Sequence, residues 1–372
     1  MDNVARESWR TLLSLLPAGW SERARESGAI ERLRGFSSAE TLLRTLLLHV
    51  ASGLSLRETA VQARLADWAV VSDVALLKRL RNSEPWLRRL CADLLEENGV
   101  ALAGAGTARR VRVVDGTIVR EPGKTGSQWR ILYSLGLPGL DCDFFEIGAT
   151  AGAGTRESLR RIPVRAGDFL LGDAGYWSTA EVESATRRGA DVLIRINPQT
   201  FVARAGGGRR FGFITRLRTL QQAGDIGEWA VTLPGRQSEI QGRVCAIRKS
   251  EYAIGQAHRR LHRKASKKQI RLQPRTLEYA RYVIVFTTEM NGSAQQMLEL
   301  YRLRWQIELV FKRMKAIAQL GHLPKHDERS ARAWLYGKLL VALLTQKLIR
   351  TGRDISPWGC SPRLVAPAKS MA

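Results

Sequence analysis

Twice in this 372-residue chain an apolar run delivers an aspartate into a glycine-containing turn, at Asp115 in RVRVVDGT and at Asp173 in DFLLGDAGY. Val111, Val113 and Val114, and later Phe169 to Leu171, suit buried strands, so each aspartate is expected at a strand end. A carboxylate there is either a turn residue or a ligand held on a rigid element, and two such strand ends in one chain favour the ligand. Strands also fit WRILYSL (129–135) and DCDFFEIGAT (141–150), which with residues 111–119 form an antiparallel meander around the turn LGLPGLD. Ser178 and Glu181 have the spacing of a helix cap, DVLIRI (191–196) is a further strand, and YARYVIVFTT (279–288) is a strongly β-branched one.

That order is close to a ribonuclease H-like α/β core, and the regions around it differ in kind. Residues 1–98 read as an all-helical domain. Ser38 opens a Leu-rich helix that Gly53 stops, Ser55 and Glu58 have capping-box spacing, and Ser72 begins a helix carrying Lys78, Arg79 and Arg81. Short helix, turn and basic helix give the outline of a helix-turn-helix, which a plain helical bundle also shows. The small-residue run GVALAGAGTA makes 99–110 a linker, followed by the first part of the core (111–198). After an insertion at 199–279, the core resumes at 280–320, and residues 321–372 hold a final amphipathic helix (328–351) and a tail.

Charge decides what such a chain meets. Fifty-nine Lys and Arg against 35 Asp and Glu leave +24, which favours a polyanionic partner. The apolar runs are far shorter than the ~20 residues that cross a bilayer, and the first ten residues mix acids with bases. Four dispersed cysteines form no CxxC pair, as expected of reduced thiols in a cytoplasmic, nucleoid-associated protein. The insertion at 199–279 carries 17 Lys and Arg against 5 Asp and Glu, half of the chain's excess. FGFIT, EWAVTL and RVCAIR within it are strand-like. HRRLHRKASKKQIRLQPR (258–275), with Arg259, Arg260, Arg263, Lys264, Lys267 and Lys268, reads as a loop that orders on nucleic acid. His258 and His262 have metal-helix spacing but no accompanying carboxylate.

Ser293 can cap a long helix containing YRLRWQIELVFKRMK (301–315). At about 100° per residue, Tyr301, Arg304, Glu308 and Lys315 fall on one polar stripe. Leu303, Ile307, Val310, Phe311 and Met314 form the adjoining apolar face. An Arg304–Glu308 surface pair alone would leave Tyr301 and Lys315 unexplained. Asp115, Asp173 and Glu308 are then three carboxylates on neighbouring elements, which repel one another unless cations bind between them. Hard oxygen ligands suit Mg²⁺, with Mn²⁺ able to substitute, and two such ions serve in-line phosphodiester displacement.

Tyr301, Arg304, Glu308 and Lys315 at these spacings, with VVDGT and LLGDAGYW, resemble the signature of the insertion sequence four family of DDE transposases. The resemblance covers roughly residues 36–350. It implies a ribonuclease H-like core with a β-strand insertion, metal binding and catalysis by Asp115, Asp173 and Glu308, and Mg²⁺-dependent cut-and-paste transposition. Terminal inverted repeats and target DNA would be the partners of a homodimer in a synaptic complex, with Tyr301, Arg304 and Lys315 on the cleaved end. Ala174 stands where many members have Arg. A structure-selective nuclease of the same fold and a non-catalytic DNA-binding relative are the alternatives.

Overall fold

The computed structural model describes residues 2–101, 109–121, 128–137, 141–150, 157–305, 308, 323–324 and 327–355. Residues 102–108 of the expected linker, the turn at 138–140, Lys315 and the tail from 356 lie outside the described residues.

Six helices come first: α1 (Asp2–Ser14), α2 (Glu22–Glu26), α3 (Ala39–Ser52), α4 (Leu56–Leu65), α5 (Asp73–Asn82) and α6 (Glu84–Ala101). Their ends follow the local chemistry of the sequence. Ser38 accepts the N–H of Thr41, Ser55 and Glu58 cap one another, and Ser72 accepts the N–H of Ala75. Gly53 ends α3 at φ 69°, in the left-handed region that a Cβ disfavours. The chain's last described helix, α12 (Glu328–Ile355), returns to pack on α3, α5 and α6. A Cβ on Gly337 would stand 2.9 Å from Val50, so glycine permits the close α3–α12 approach. Arg81 clamps Asp327 through two hydrogen bonds of 3.2 and 2.9 Å, fixing the start of α12 against α5. Leu42, Leu46, Leu80, Trp86, Leu87, Leu90, Leu335 and Leu339 fill the resulting core, which is continuous with one face of the sheet.

One group in that core is out of place. Lys338 is 1% exposed, its Nζ has no hydrogen-bond partner, and its charge lies 5.0 Å from the Trp334 ring. Burial lowers its pKa to about 8. Below that pH the folded state carries a buried cation that the unfolded state hydrates. Between about pH 8 and the ordinary lysine value, the unfolded chain binds the extra proton, so stability rises with pH across that window. Lys338→Met is expected to stabilise the fold at pH 7 by roughly 2–3 kcal/mol, the scale of a shift of two units or more. Denaturant unfolding at pH 7 and pH 10 checks this, because the gain should shrink at the higher pH.

The second layer is one mixed eight-stranded sheet. Its strands are β1 (Val111–Arg120), β2 (Gln128–Leu137), β3 (Asp141–Ala149), β4 (Phe169–Gly172), β5 (Asp191–Arg195), β6 (Ile226–Pro234), β7 (Glu239–Arg248) and β8 (Tyr282–Thr287), in the spatial order β3-β2-β1-β4-β5-β8-β7-β6. The meander β1-β2-β3 is antiparallel as the sequence suggests, while β1, β4 and β5 run parallel at the centre. Short connections suffice for the former, whereas parallel neighbours need crossovers. Residues 157–168 link β3 to β4, and α7 (Thr179–Arg187) links β4 to β5. The hairpin β6-β7 from within 199–279 pairs through β7 with β8, so it extends the same sheet.

Several local expectations need correction. β1 does not end at Asp115 but runs on to Arg120, because β2 continues to pair with it through Gln128. FGFIT contributes to a short helix, α8 (Phe213–Leu217), because Phe213 and Leu217 stand one helical turn apart and both are buried. The basic run is a helix too: α9 (Glu251–Lys267), with α10 (Pro274–Ala280) packed beside it. Ser250 accepts the Ala253 N–H at its start, Glu251 lies in its first turn, and Lys264 and Lys267 lie in its last, where each charge favours the helix dipole. The expected long helix after Ser293 is interrupted by a turn, with Trp305 and Glu308 helical again beyond it. α11 (Ala294–Arg302) gives way to a turn at Leu303–Arg304, where the Arg304 N–H reaches back only to the Tyr301 carbonyl.

Candidate active site

The centre of the sheet places the two aspartates side by side. β1 and β4 pair in parallel with Val111 opposite Phe169 and Val113 opposite Leu171. Continuing that register by two residues sets Asp115 level with Asp173, on the face shared by Val113 and Leu171. The register is pinned at the other end of the two strands by buried charges. Arg110 grips both oxygens of Asp168 at 2.7 and 2.6 Å, and Arg112 contacts Asp168 at 3.2 Å and Asp143 at 2.7 Å. Burial opposes ionisation of Asp168, and the Arg110 hydrogen bonds and the two guanidinium charges overcome it, leaving its pKa below the usual carboxylate range.

Each aspartate accepts a hydrogen bond from a nearby glycine, Gly116 within β1 and Gly175 in the turn after β4. The Gly116 N–H donates to Asp115 Oδ1 at 2.8 Å, and the Gly175 N–H donates to Asp173 Oδ1 at 2.7 Å. Burial raises the pKa of Asp115 to about 7; the Gly116 hydrogen bond and Arg304 oppose the rise, while Asp173 and Glu157 add to it. A carboxyl so placed is half protonated near neutrality unless a cation offsets the crowding.

The signature stretch meets this pair through Arg304. Its guanidinium lies 2.6 Å from Glu308 Oε1 and 3.8 Å from Asp115 Oδ2, so a single cation bridges the two carboxylates. The Arg304–Glu308 ion pair is thus present, but on a guanidinium that is itself mostly buried against Asp115. Tyr301 is 8% exposed, and its hydroxyl lies beside Arg304 without a well-formed hydrogen bond. Burial raises the Tyr301 pKa although the Arg304 charge opposes it. Among the described residues no three His, Cys, Asp or Glu side chains converge closely enough to hold a metal ion. Glu308 is half exposed and turned to Arg304.

Two participants had no reading in the sequence. Glu157, at the end of the glycine-rich run GATAGAGTRES, lies against Gly116 and Gly175 and is paired with Arg130 of β2 at 2.8 Å. Tyr176 is fully buried, with an unpartnered hydroxyl within the field of Glu157, Asp115 and Asp173. The glycines beside the two aspartates were the available signal, since they mark a close approach by some other group.

The remaining basic residues are distributed elsewhere. Arg259, Arg260, Arg263, Lys264, Lys267 and Lys268 are all exposed, and on or next to α9 they cover about half of its circumference. The opposite face packs inward: Ile254 is buried and His258 Nε2 lies 3.0 Å from the Leu277 carbonyl, a structural use for that histidine. On α5, Lys78 is exposed. Arg79, expected at DNA, instead binds the carbonyls of Ala29, Arg32 and Arg34 and stacks on Phe36. With its guanidinium engaged, it braces the 29–36 loop.

Comparison with known proteins decides the family. The transposase DDE domain family matches residues 148–344. The transposase for insertion sequence element IS421 of Escherichia coli is 33% identical over 367 residues, covering 95% of this chain and 97% of that protein. The chain belongs to the DDE transposases of insertion sequences. InsL of element IS186A, from E. coli K12, is also 33% identical over 366 residues, with 95% and 97% of the two chains covered. The transposase for IS231B of Bacillus thuringiensis is 22% identical, covering 89% of this chain and 77% of its own. The mixed sheet with β1, β4 and β5 parallel at its centre fits the ribonuclease H-like fold of DDE transposases. Membership in this family implies use of a divalent metal ion. Carboxylate oxygens from Asp115 and Asp173, whose charges act on one another, are donors that suit such an ion. No described helix is long and apolar enough to cross a membrane.

Proposed function

We propose that this transposase binds the terminal inverted repeats of its element, cleaves the ends with magnesium and joins them to target DNA. The observation that carries this reading is the parallel pairing of β1 and β4, which brings Asp115 of β1 near Asp173 at the end of β4, with Arg304 linking Asp115 to Glu308. Asp115 and Asp173 would hold the metal, and Glu308 would be free to join them when a DNA phosphate takes up Arg304. A bound divalent cation would activate the attacking hydroxyl and stabilise the leaving oxygen. The chain's own groups position the DNA. Arg304 offers planar donors to a phosphate beside the site, Tyr301 offers its hydroxyl, and Lys315 adds a cation from the same stretch. Residues 1–98, with Lys78 exposed on α5, form the end-binding domain. The working form is a homodimer that synapses two ends, in the cytoplasm on the nucleoid.

The basic face of α9 tracks the DNA backbone in this reading. Replacing Arg259, Arg260, Arg263, Lys264, Lys267 and Lys268 with Gln should weaken end binding and flatten its salt dependence by roughly 0.9 in log–log slope for every phosphate no longer neutralised. Filter binding between low and moderate salt measures it. An unchanged slope would remove α9 from the interface, and a flat slope in the wild type would contradict DNA binding altogether.

A further inference from the structure

Glu157 reaches from the Asp115 segment of β1 to the Asp173 turn. An added Cβ at Gly116 would lie 2.7 Å from Glu157 Oε1, and one at Gly175 would lie 2.8 Å from Oε2 and 2.9 Å from Asp173 Oδ1. One carboxylate oxygen therefore rests against each glycine, and a Cβ at either would displace it. The side chain is 21% exposed and is anchored by Arg130, which stands opposite Ile118 on the strand next to β1. Burial and Asp173 raise the Glu157 pKa, with Arg130 opposing them. Two arginines thus meet these three carboxylates, Arg130 at Glu157 and Arg304 at Asp115, and Arg304 is shared with Glu308.

The second observation is Tyr176. Burial and the charges of Glu157, Asp115 and Asp173 raise its pKa, and its hydroxyl has no partner although the residue is fully buried. An unpartnered buried hydroxyl costs about 1–3 kcal/mol. A buried hydroxyl left unpartnered within the field of three carboxylates points to a group that the chain itself does not supply. A hydrated cation would satisfy both the hydroxyl and the excess negative charge.

We propose that Glu157 is an acidic positioning residue beside the cation site, braced by Arg130 against Gly116 and Gly175 and acting through its charge, not as a ligand, on a divalent ion that Asp115 and Asp173 would hold. This rests on the reading of those two aspartates as the metal-holding pair. Glu157 is a positioning residue in this scheme, and it makes the site competent for a cation before DNA arrives, while Glu308 is still tied to Arg304.

The test uses the full chain without DNA and Mn²⁺ as the probe, with free Mn²⁺ followed by electron paramagnetic resonance. Glu157→Gln keeps the shape and removes the charge, and it should weaken Mn²⁺ binding roughly tenfold, the effect of about 1.4 kcal/mol of missing attraction. Asp173→Asn should abolish binding. Gly116→Ala should displace Glu157 and weaken binding in the wild-type background but add nothing in a Glu157→Ala background, a pattern that general loss of folding would not give. If Glu157→Gln binds Mn²⁺ like the wild type while Asp173→Asn does not, the role of Glu157 is overturned and the aspartate pair stands. If Asp173→Asn also binds like the wild type, the aspartate reading itself fails.

Discussion

Asp115→Ala and Asp173→Ala are each expected to reduce cleavage at the element's ends by roughly a thousandfold or more, while leaving end binding within a few fold of wild type. The asymmetry follows from where the two functions lie. The DNA-facing cations assigned above are on α9, α5 and the 301–315 stretch, whereas the two aspartates stand at central strands with Arg304 as the only described cation in contact with either. Removing a carboxylate takes away several kcal/mol of charge stabilisation at the reacting phosphate, and each 1.36 kcal/mol is tenfold in rate. In the proposed mode, end binding would rely on dispersed phosphate contacts from these cations and not on the carboxylates. Removing a crowded carboxylate should also relieve repulsion, so neither variant should unfold. Cleavage followed on end-labelled DNA, beside a bandshift with the same preparations, separates the two effects. A variant deficient in both together would place the aspartates in a structural role.

Arg112→Ala is expected to destabilise the protein by roughly 3–5 kcal/mol, the cost of stranding buried carboxylates. Arg112, Asp143 and Asp168 are each about 2% exposed, and the guanidinium also reaches Ser134 and the Pro163 carbonyl. The alanine variant leaves Asp143 facing a cavity with Arg110 3.9 Å away as its remaining charged neighbour. Its consequence for function runs through register. Arg110 and Arg112 tie β1 to the segment entering β4 just where Val111 meets Phe169, and the same two strands then present Asp115 and Asp173. Urea unfolding measures the destabilisation. Arg112→Met combined with Asp143→Asn should recover a substantial part of it, since buried pairs are often replaced without penalty by apolar or neutral groups. If the single variant is as stable as wild type, the network does not hold the strands.

The elements with local signals are legible in the sequence. Capping residues Ser38, Ser55, Ser72, Ser178 and Ser293 each do in the structure what their spacing suggests, because a cap depends on residues within one turn. The two aspartates are legible as carboxylates that follow an apolar run and stand beside a glycine, since that pattern needs no distant partner to be recognised. Features set by tertiary contact are not. β1 continues past Asp115 because β2 pairs along its whole length, which nothing in VVDGT states. The run at 258–275 resembles a solvated loop by its charge alone, yet Ser250, Glu251 and the buried Ile254 make it helical with its cations on one side. Glu157 gives no sign in the sequence because its partners, Gly116, Gly175 and Arg130, are 41, 18 and 27 positions away and adjacent only after the sheet forms. The Arg304–Glu308 spacing by itself describes a weak surface pair. The structure gives that pair a buried guanidinium shared with Asp115, which makes it part of the site.

Asp115, Asp173 and Glu308 are proposed to cut and join DNA ends with a divalent metal. The most direct measurement is joining of 3′ ends, carried on the sequences flanking the element, to a target plasmid by wild type and by Glu308→Ala with Mg²⁺ or Mn²⁺. Joined product is expected from wild type only, abolished by chelation, with Glu308→Ala still binding the ends. Joined product from Glu308→Ala at the wild-type rate, or product that survives chelation, would contradict this mechanism.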